Sequence, residues 1–204
     1  VGPEDPEEPK EPAQKIIVRL ADGKERKIHY IAATTYMFNG RPITAQEFMD
    51  HLFGDLGTLV TDEDELREIW SHPDRRSSFI ERLTEMGYDS ERIEDMRRLI
   101  DAPNSDIFDV LAYIRFTLAP LARAERVAAA KAAGMDGYEE EMRAFLGYVL
   151  QSYEVQGIRE LEPGKIGDFL RIRYGGTNDA KRKLGSIQQI RSAFFDIQKQ
   201  LFHI

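Results

Sequence analysis

From Tyr138 onward the apolar residues Met142, Phe145, Leu146, Val149 and Tyr153 recur at spacings of three and four, the period of an α-helix with one buried face. The same period governs most of the 204 residues. Thr44 and Glu47 stand three apart as a capping box, and Ile43 and Phe48 occupy the two places of a hydrophobic staple. The helix they open carries Phe48, Leu52 and Leu56 inward and is weakened at Gly54 and Gly57. Leu66, Ile69 and Trp70 mark a second helix. Pro73 suits the first turn of a third, which buries Phe79, Ile80, Leu83 and Met86 and stops at Gly87 in a left-handed cap. Ser90 begins a fourth. Ile107, Val110, Leu111 and Ile114 form a stripe that Pro120 must end or kink. An alanine-rich helix covers Ala122 to Ala133, and Ile166, Phe169 and Leu170 precede a stop at Gly175-Gly176. Ser186 with Gln189 caps the last helix, whose stripe is Ile187, Ile190, Phe194, Ile197 and Leu201. The expectation is a mainly α, multi-helix domain over residues 44–204, with the Tyr138 helix longest and central.

Before it, over residues 15–36, a short N-terminal antiparallel β-hairpin is expected. Ile16, Val18 and Leu20 alternate, Ala21-Asp22-Gly23 turns the chain, and Ile28 and Tyr30 resume the alternation. A three-residue loop with Gly23 in the left-handed position pairs Val18 with Arg26, Ile16 with Ile28 and Arg19 with Glu25. Two strands alone are marginal in water, so the hairpin must lie on a helical core or a partner's sheet. Residues 1–14 open with Pro3, Pro6, Pro9 and Pro12 among Glu4, Asp5, Glu7, Glu8 and Glu11, the composition of an extended, acidic, proline-rich linker.

The absence of cysteine excludes disulfides and thiolate metal sites and suits a reducing cytoplasm. No apolar run reaches the roughly 20 residues of a membrane span, so no membrane partner is expected. A net charge of −8 argues against a surface that grips phosphate throughout, yet the part from Arg159 onward is +4 and the remainder −12. The four histidines, His29, His51, His72 and His203, lack zinc spacing and read as surface or capping residues. Glu139-Glu140-Glu141 falls in the first turn of a helix, where the dipole favours carboxylates.

The stretch NSDIFDVLAYIRFTLAPLARAERV, from Asn104 to Val127, resembles the C-terminal domain of EcoEI-type type I restriction enzyme R subunits. KIIVRLADGKERKIHY from Lys15, ITAQEFMDHLFGDL from Ile43 and LGSIQQIRSAFFDIQKQLF from Leu184 resemble the same family in the same order. The resemblance implies an assembly module of an ATP-driven DNA translocase and endonuclease. Its implied partners are the methyltransferase and specificity subunits, with DNA reached through that complex. ATP and Mg²⁺ are expected for the full-length R subunit and no cofactor for this chain, which is not expected to be an enzyme by itself.

The residues agree with that division. A Walker A loop fails because Ile166 follows Gly164-Lys165 and Arg159 stands where the first glycine belongs. Glu25-Arg26-Lys27 with Asp22 imitates a nuclease carboxylate set, but Asp22 lies in the same tight turn, and the simpler reading is a charged hairpin surface. Gly175-Gly176-Thr177 reads as a helix stop followed by a cap. What remains is surface: Arg171, Arg173, Lys181, Arg182 and Lys183 are candidate contacts to a partner protein or to DNA phosphate. Phe195 is a further candidate, since adjacent Phe194 and Phe195 cannot share one helical stripe. Trp70 and Tyr36 are aromatics that serve cores and interfaces alike. A DNA-guiding role for the basic C-terminal third is the alternative to docking.

Overall fold

The computed structural model describes residues 14–30 and 35–204. The expected linker lies outside the described residues except for Gln14, which is the first residue of a strand. The fold is mainly α: among the described residues, ten helices follow an N-terminal antiparallel pair of strands. In order the helices are α1 (Ala45–Leu59), α2 (Glu63–Ser71), α3 (Pro73–Glu85), α4 (Ser90–Leu99) and α5 (Ile107–Phe116). They continue with α6 (Arg123–Gly134), α7 (Glu140–Gln156), α8 (Lys165–Tyr174), α9 (Thr177–Leu184) and α10 (Ile187–Phe202), with a short 3-10 turn at Ile158–Leu161. None is long and apolar enough to cross a membrane.

Local signals place most of these boundaries. The Thr44 and Glu47 capping box opens α1, and the helix runs through both Gly54 and Gly57 to Leu59, because its inner face buries Phe48, Met49, Leu52, Phe53 and Leu56. The Ser186 and Gln189 box opens α10. At the end of α3 the Gly87 N–H donates to the Thr84 carbonyl (3.0 Å) and the Tyr88 N–H to the Leu83 carbonyl (2.9 Å), a complete Schellman pair. Gly87 has φ 101°, and a Cβ there would sit 3.1 Å from Asn39 Oδ1 and 3.2 Å from Phe38 Cε2. Gly87→Ala is therefore expected to cost about 1–2 kcal/mol. A urea midpoint unchanged by the substitution would contradict this.

Helix α5 differs from the expectation for this stretch. It is buried at every position from Ile107 to Ala112 and again at Ile114, and it ends at Thr117 (φ 60°) before Pro120 can act. Helix α7 is the longest, at 17 residues, but buries a single stripe of Met142, Phe145, Leu146, Val149, Leu150 and Tyr153. The centre is thus α5, which packs against α1, α2 and α4, while α10 closes the other side against α2, α6, α7 and α9. A helix that is apolar nearly all round must be enclosed by its neighbours. In α10, Ile190, Phe194, Ile197 and Leu201 are buried as expected, whereas Ile187 in the first turn is 38% exposed. Ile80 and Met86 are only half-buried at the edge of the core.

Strands β1 (Gln14–Arg19) and β2 (Glu25–Tyr30) pair in the expected register, Ile16 to Ile28, Val18 to Arg26 and Arg19 to Glu25. Their inner face adds Val18, Leu20 and Ile28 to the helical core. Tyr36 does not extend this hairpin. It begins a second one, β3 (Tyr36–Phe38) and β4 (Arg41–Ile43), turned by Asn39 (φ 49°) and Gly40 (φ 76°). Asn-Gly supplies the two positive φ angles of a type I′ turn. Pro42 is tolerated in β4 because, among the described residues, this sheet has two strands and each has an unpaired edge.

Arg26 overturns the charged-surface reading of Glu25-Arg26-Lys27. Glu25 and Lys27 are exposed, but Arg26 is fully buried. Its Nη1 and Nη2 donate to Asp22 Oδ1 (2.6 Å) and Oδ2 (2.8 Å), and Nη2 also donates to the Ile114 carbonyl at the end of α5 (2.6 Å). That hydrogen bond from Arg26 holds the Asp22 carboxyl down at about 2. The pair ties the hairpin turn to the central helix and occupies Asp22, the aspartate of the supposed nuclease set, while Glu25 is paired with Arg19 (2.7 Å).

Candidate interaction surface

Helix α8 buries Ile166, Phe169 and Leu170, which leaves Arg171, Ile172 and Arg173 turned outward before the stop at Gly175. Helix α9 is anchored by Ala180 and Leu184 alone. Lys181, Arg182 and Lys183 therefore fill its exposed last turn, where the carbonyl ends of the helix favour cations. The two helices pack on each other. This short helix was not expected as such: Gly175 stops α8, but Gly176 precedes α9 and Thr177 is its first residue, not its cap.

The five cations are not equivalent. Arg171 Nη2 donates to Asp168 Oδ1 (2.8 Å) and Arg182 Nη1 to Asp179 Oδ1 (3.1 Å), each pair within its own helix and well exposed. Arg173 lies over Tyr148 (5.5 Å to the ring centroid) and Tyr174 (5.9 Å), and Lys183 lies over Tyr174 (5.9 Å). The structure thus brings Arg173 and Lys183 together on one tyrosine between α8 and α9. Ile172, 67% exposed, sits between the two arginines of α8. Lys183 also rims a cleft of about 690 Å³ whose wall includes Tyr138, Met142, Leu184 and Ala193.

Phe195 does not join this surface through any of those cations. It is half-buried against Phe194 (6.0 Å between centroids) and is covered by Arg191 (5.6 Å), so much of it belongs to the domain's own core. Trp70 and Tyr36 are core residues, at 0% and 4% exposure.

The phosphate-loop candidate finds no cradle. Lys165 Nζ is paired with Glu160 Oε1 (2.9 Å), which raises its pKa, and the Lys165 and Ile166 amides already donate to the Glu162 and Pro163 carbonyls. The residues present therefore do not fit a nucleotide triphosphate at Gly164-Lys165. The histidines are divided among local roles. His29 meets Asp101 (3.2 Å), His72 stands between α2 and α3, and His203 follows α10. Among the described residues no three His, Asp or Glu side chains are grouped to hold a metal ion.

What reading the sequence missed is a buried polar network inside Asn104 to Val127. Asp109 Oδ2 accepts from the Asp106 N–H (2.9 Å), and Oδ1 accepts from the Leu121 N–H (3.0 Å) and from Arg126 Nη2 (2.5 Å). Arg126 Nη1 then donates to the Leu201 carbonyl (2.9 Å) at the end of α10, and the guanidinium lies against the rings of Phe108 and Phe202. Tyr153 of α7 donates its hydroxyl to Asp106 Oδ2. Burial pushes the Asp106 carboxyl up to about 6, against the hydrogen bond from Tyr153, and pushes the Tyr153 phenol well above its usual range. A second buried cation, Arg76, donates to the Trp70 carbonyl (2.9 Å) and to Gln198 Oε1 (3.2 Å), and burial lowers its pKa to about 10. These groups are buried: the set around Asp106, Asp109 and Arg126 joins α5, α6, α7 and α10, and Arg76 joins α3 to α2 and α10. The signal was present as two aspartates three apart at the start of α5 and two arginines three apart in α6.

A family model described as EcoEI R protein C-terminal matches residues 46–202. The match includes the whole of the network and of the α8–α9 surface, and it begins after the Lys15 to Tyr30 hairpin that also carried the resemblance. No curated protein and no solved structure matches the chain significantly.

Proposed function

Because this chain belongs to the EcoEI R protein C-terminal family and so holds a C-terminal domain of a type I restriction enzyme R subunit, we propose that it docks a translocase and endonuclease motor onto the methyltransferase–specificity core. The observation that carries this reading is the α8–α9 surface. Two of its arginines are already compensated by aspartates, Arg173 and Lys183 rest on tyrosine faces, and Ile172 is exposed among them. A surface of compensated charge around an apolar residue suits a protein partner better than a row of phosphates. In this reading catalysis, ATP and Mg²⁺ belong to the motor, the acidic linker holds it at high local concentration, and the complex works in the cytoplasm.

The test is calorimetric titration of the chain into the purified methyltransferase–specificity core at two salt concentrations, with DNA alone as control. Association without DNA is expected, weakened about ten-fold or more by Ile172→Glu. Unchanged affinity in that variant would remove the α8–α9 surface from the proposal. The second reading, that this face guides DNA, is favoured by the excess of cations from Lys165 to Leu184. It requires salt-dependent DNA binding whose slope falls when Lys181, Arg182 and Lys183 are neutralised.

A further inference from the structure

The β1–β2 hairpin has two edges, and they are treated differently. At the β2 edge the Tyr113 hydroxyl of α5 both accepts from the Lys27 N–H (2.7 Å) and donates to the Lys27 carbonyl (3.0 Å). The backbone groups of Lys27 therefore point away from β1, and Lys27 with its partner Ile17 is a non-hydrogen-bonded pair. In an antiparallel ladder such pairs alternate, so Lys15 with His29 and Arg19 with Glu25 are of the same kind. The N–H and C=O groups of Lys15, Ile17 and Arg19 then face outward along β1. Among the described residues no backbone or side-chain group pairs with them. The edge offers three donors and three acceptors over six residues.

The side chains along that edge are basic, apolar, basic. Lys15 and Arg19 are 61% and 67% exposed, each in a surface ion pair of the kind that water competes with easily, and Ile17 is 59% exposed between them. Lysine and arginine alone would be the ordinary guard of a sheet edge, but an exposed isoleucine at its centre defeats that purpose. We infer that the open edge of β1 is a docking strand for an extended acidic segment of a partner protein, added as a third strand, with an apolar residue against Ile17 and carboxylates against Lys15 and Arg19.

Other occupants fit less well. Two copies of this chain joined edge to edge about Ile17 would set Lys15 opposite Arg19 twice, a like-charge arrangement. The acidic N-terminal sequence carries proline at every third position, at residues 3, 6, 9 and 12, and prolines so spaced cannot supply a ladder. The inference is independent of the α8–α9 proposal, since the hairpin is built by other elements and precedes the family match.

The probe is a labelled peptide, Thr-Glu-Thr-Val-Thr-Glu-Thr, titrated into the full chain and read by fluorescence anisotropy and by amide hydrogen exchange. Saturable binding is expected, with new protection at the Lys15, Ile17 and Arg19 amides. Ile17→Pro removes an outward N–H without touching the β1–β2 ladder and should weaken binding about ten-fold or more. If that variant loses its folded circular dichroism spectrum, the paired change Lys15→Glu with Arg19→Glu takes its place. That pair should reverse the preference toward the peptide with lysines for glutamates. No saturable binding, binding indifferent to these substitutions, or self-association that depends on Ile17 would each overturn the inference.

Discussion

Asp109→Ala is expected to lower the stability of the domain by ~3–5 kcal/mol, because it removes the carboxylate bonded to the buried Arg126. Arg126 is 1% exposed, and without Asp109 its charge would be left between Phe108 and Phe202 with only the Leu201 carbonyl as acceptor. The same substitution strips the Leu121 and Asp106 N–H groups of their acceptor. The measurement is a urea titration followed by circular dichroism, with the midpoint read against an unchanged slope. The double variant Asp109→Leu with Arg126→Met should recover the part of the loss due to the unpaired arginine, while the Leu121 and Asp106 N–H groups still lack their acceptor. A loss below about 1 kcal/mol in Asp109→Ala would mean that the network opens to water and does not clamp α10.

Asp106→Asn is expected to act in the other direction at neutral pH. Burial raises this carboxyl from 3.8 to about 6 in the folded chain, so between those values the native state holds a proton that the unfolded state has released. The stability tied to that proton is fully present below about pH 4 and is lost as pH rises through about 6, a contribution of roughly 3 kcal/mol. Asparagine keeps an acceptor for the Tyr153 hydroxyl and removes the charge. The neighbouring Asp109 gains by this, while Arg123 and Arg126 each lose a favourable neighbour, which limits the gain. The variant should be more stable than the parent at pH 8 and should lose the decline between pH 4 and 6.5. Asp22 works in the opposite sense. Its carboxyl is held at about 2, so its contribution is present above pH 4 and fades as pH falls through 2. An unchanged pH profile in Asp106→Asn would show that Asp106 remains ionised in the native state, held by Arg123 and Arg126.

Both of these effects come from residues that gave little sign of themselves along the chain. The helix that reads as alanine-rich and weakly amphipathic places Arg126 in the interior, because the residue that neutralises it lies 17 positions earlier and the carbonyl it caps lies 75 positions later. Arg26 was hidden in the same way: nothing near it in sequence shows that the Ile114 carbonyl is waiting 88 residues on. Of the surface candidates, the charge of the α8–α9 segment was legible from its composition. That Arg173 and Lys183 meet on Tyr174, and that Phe195 turns partly inward, depended on how those helices pack.

The family, the mainly α class, the register of the first hairpin, and the starts of α1, α3 and α10 were legible along the chain. Each of those local features rests on a cap, a turn or a period whose parts lie within a few residues, where bonding is dictated before any tertiary contact forms. Tertiary packing was needed to make α5 and not α7 the centre, to bury Arg26, Arg76 and Arg126, and to set Tyr113 on one hairpin edge while, among the described residues, the other has no partner. Those outcomes depend on pairing groups from distant parts of the chain, because a buried charge or backbone group takes whichever partner the packing brings to it.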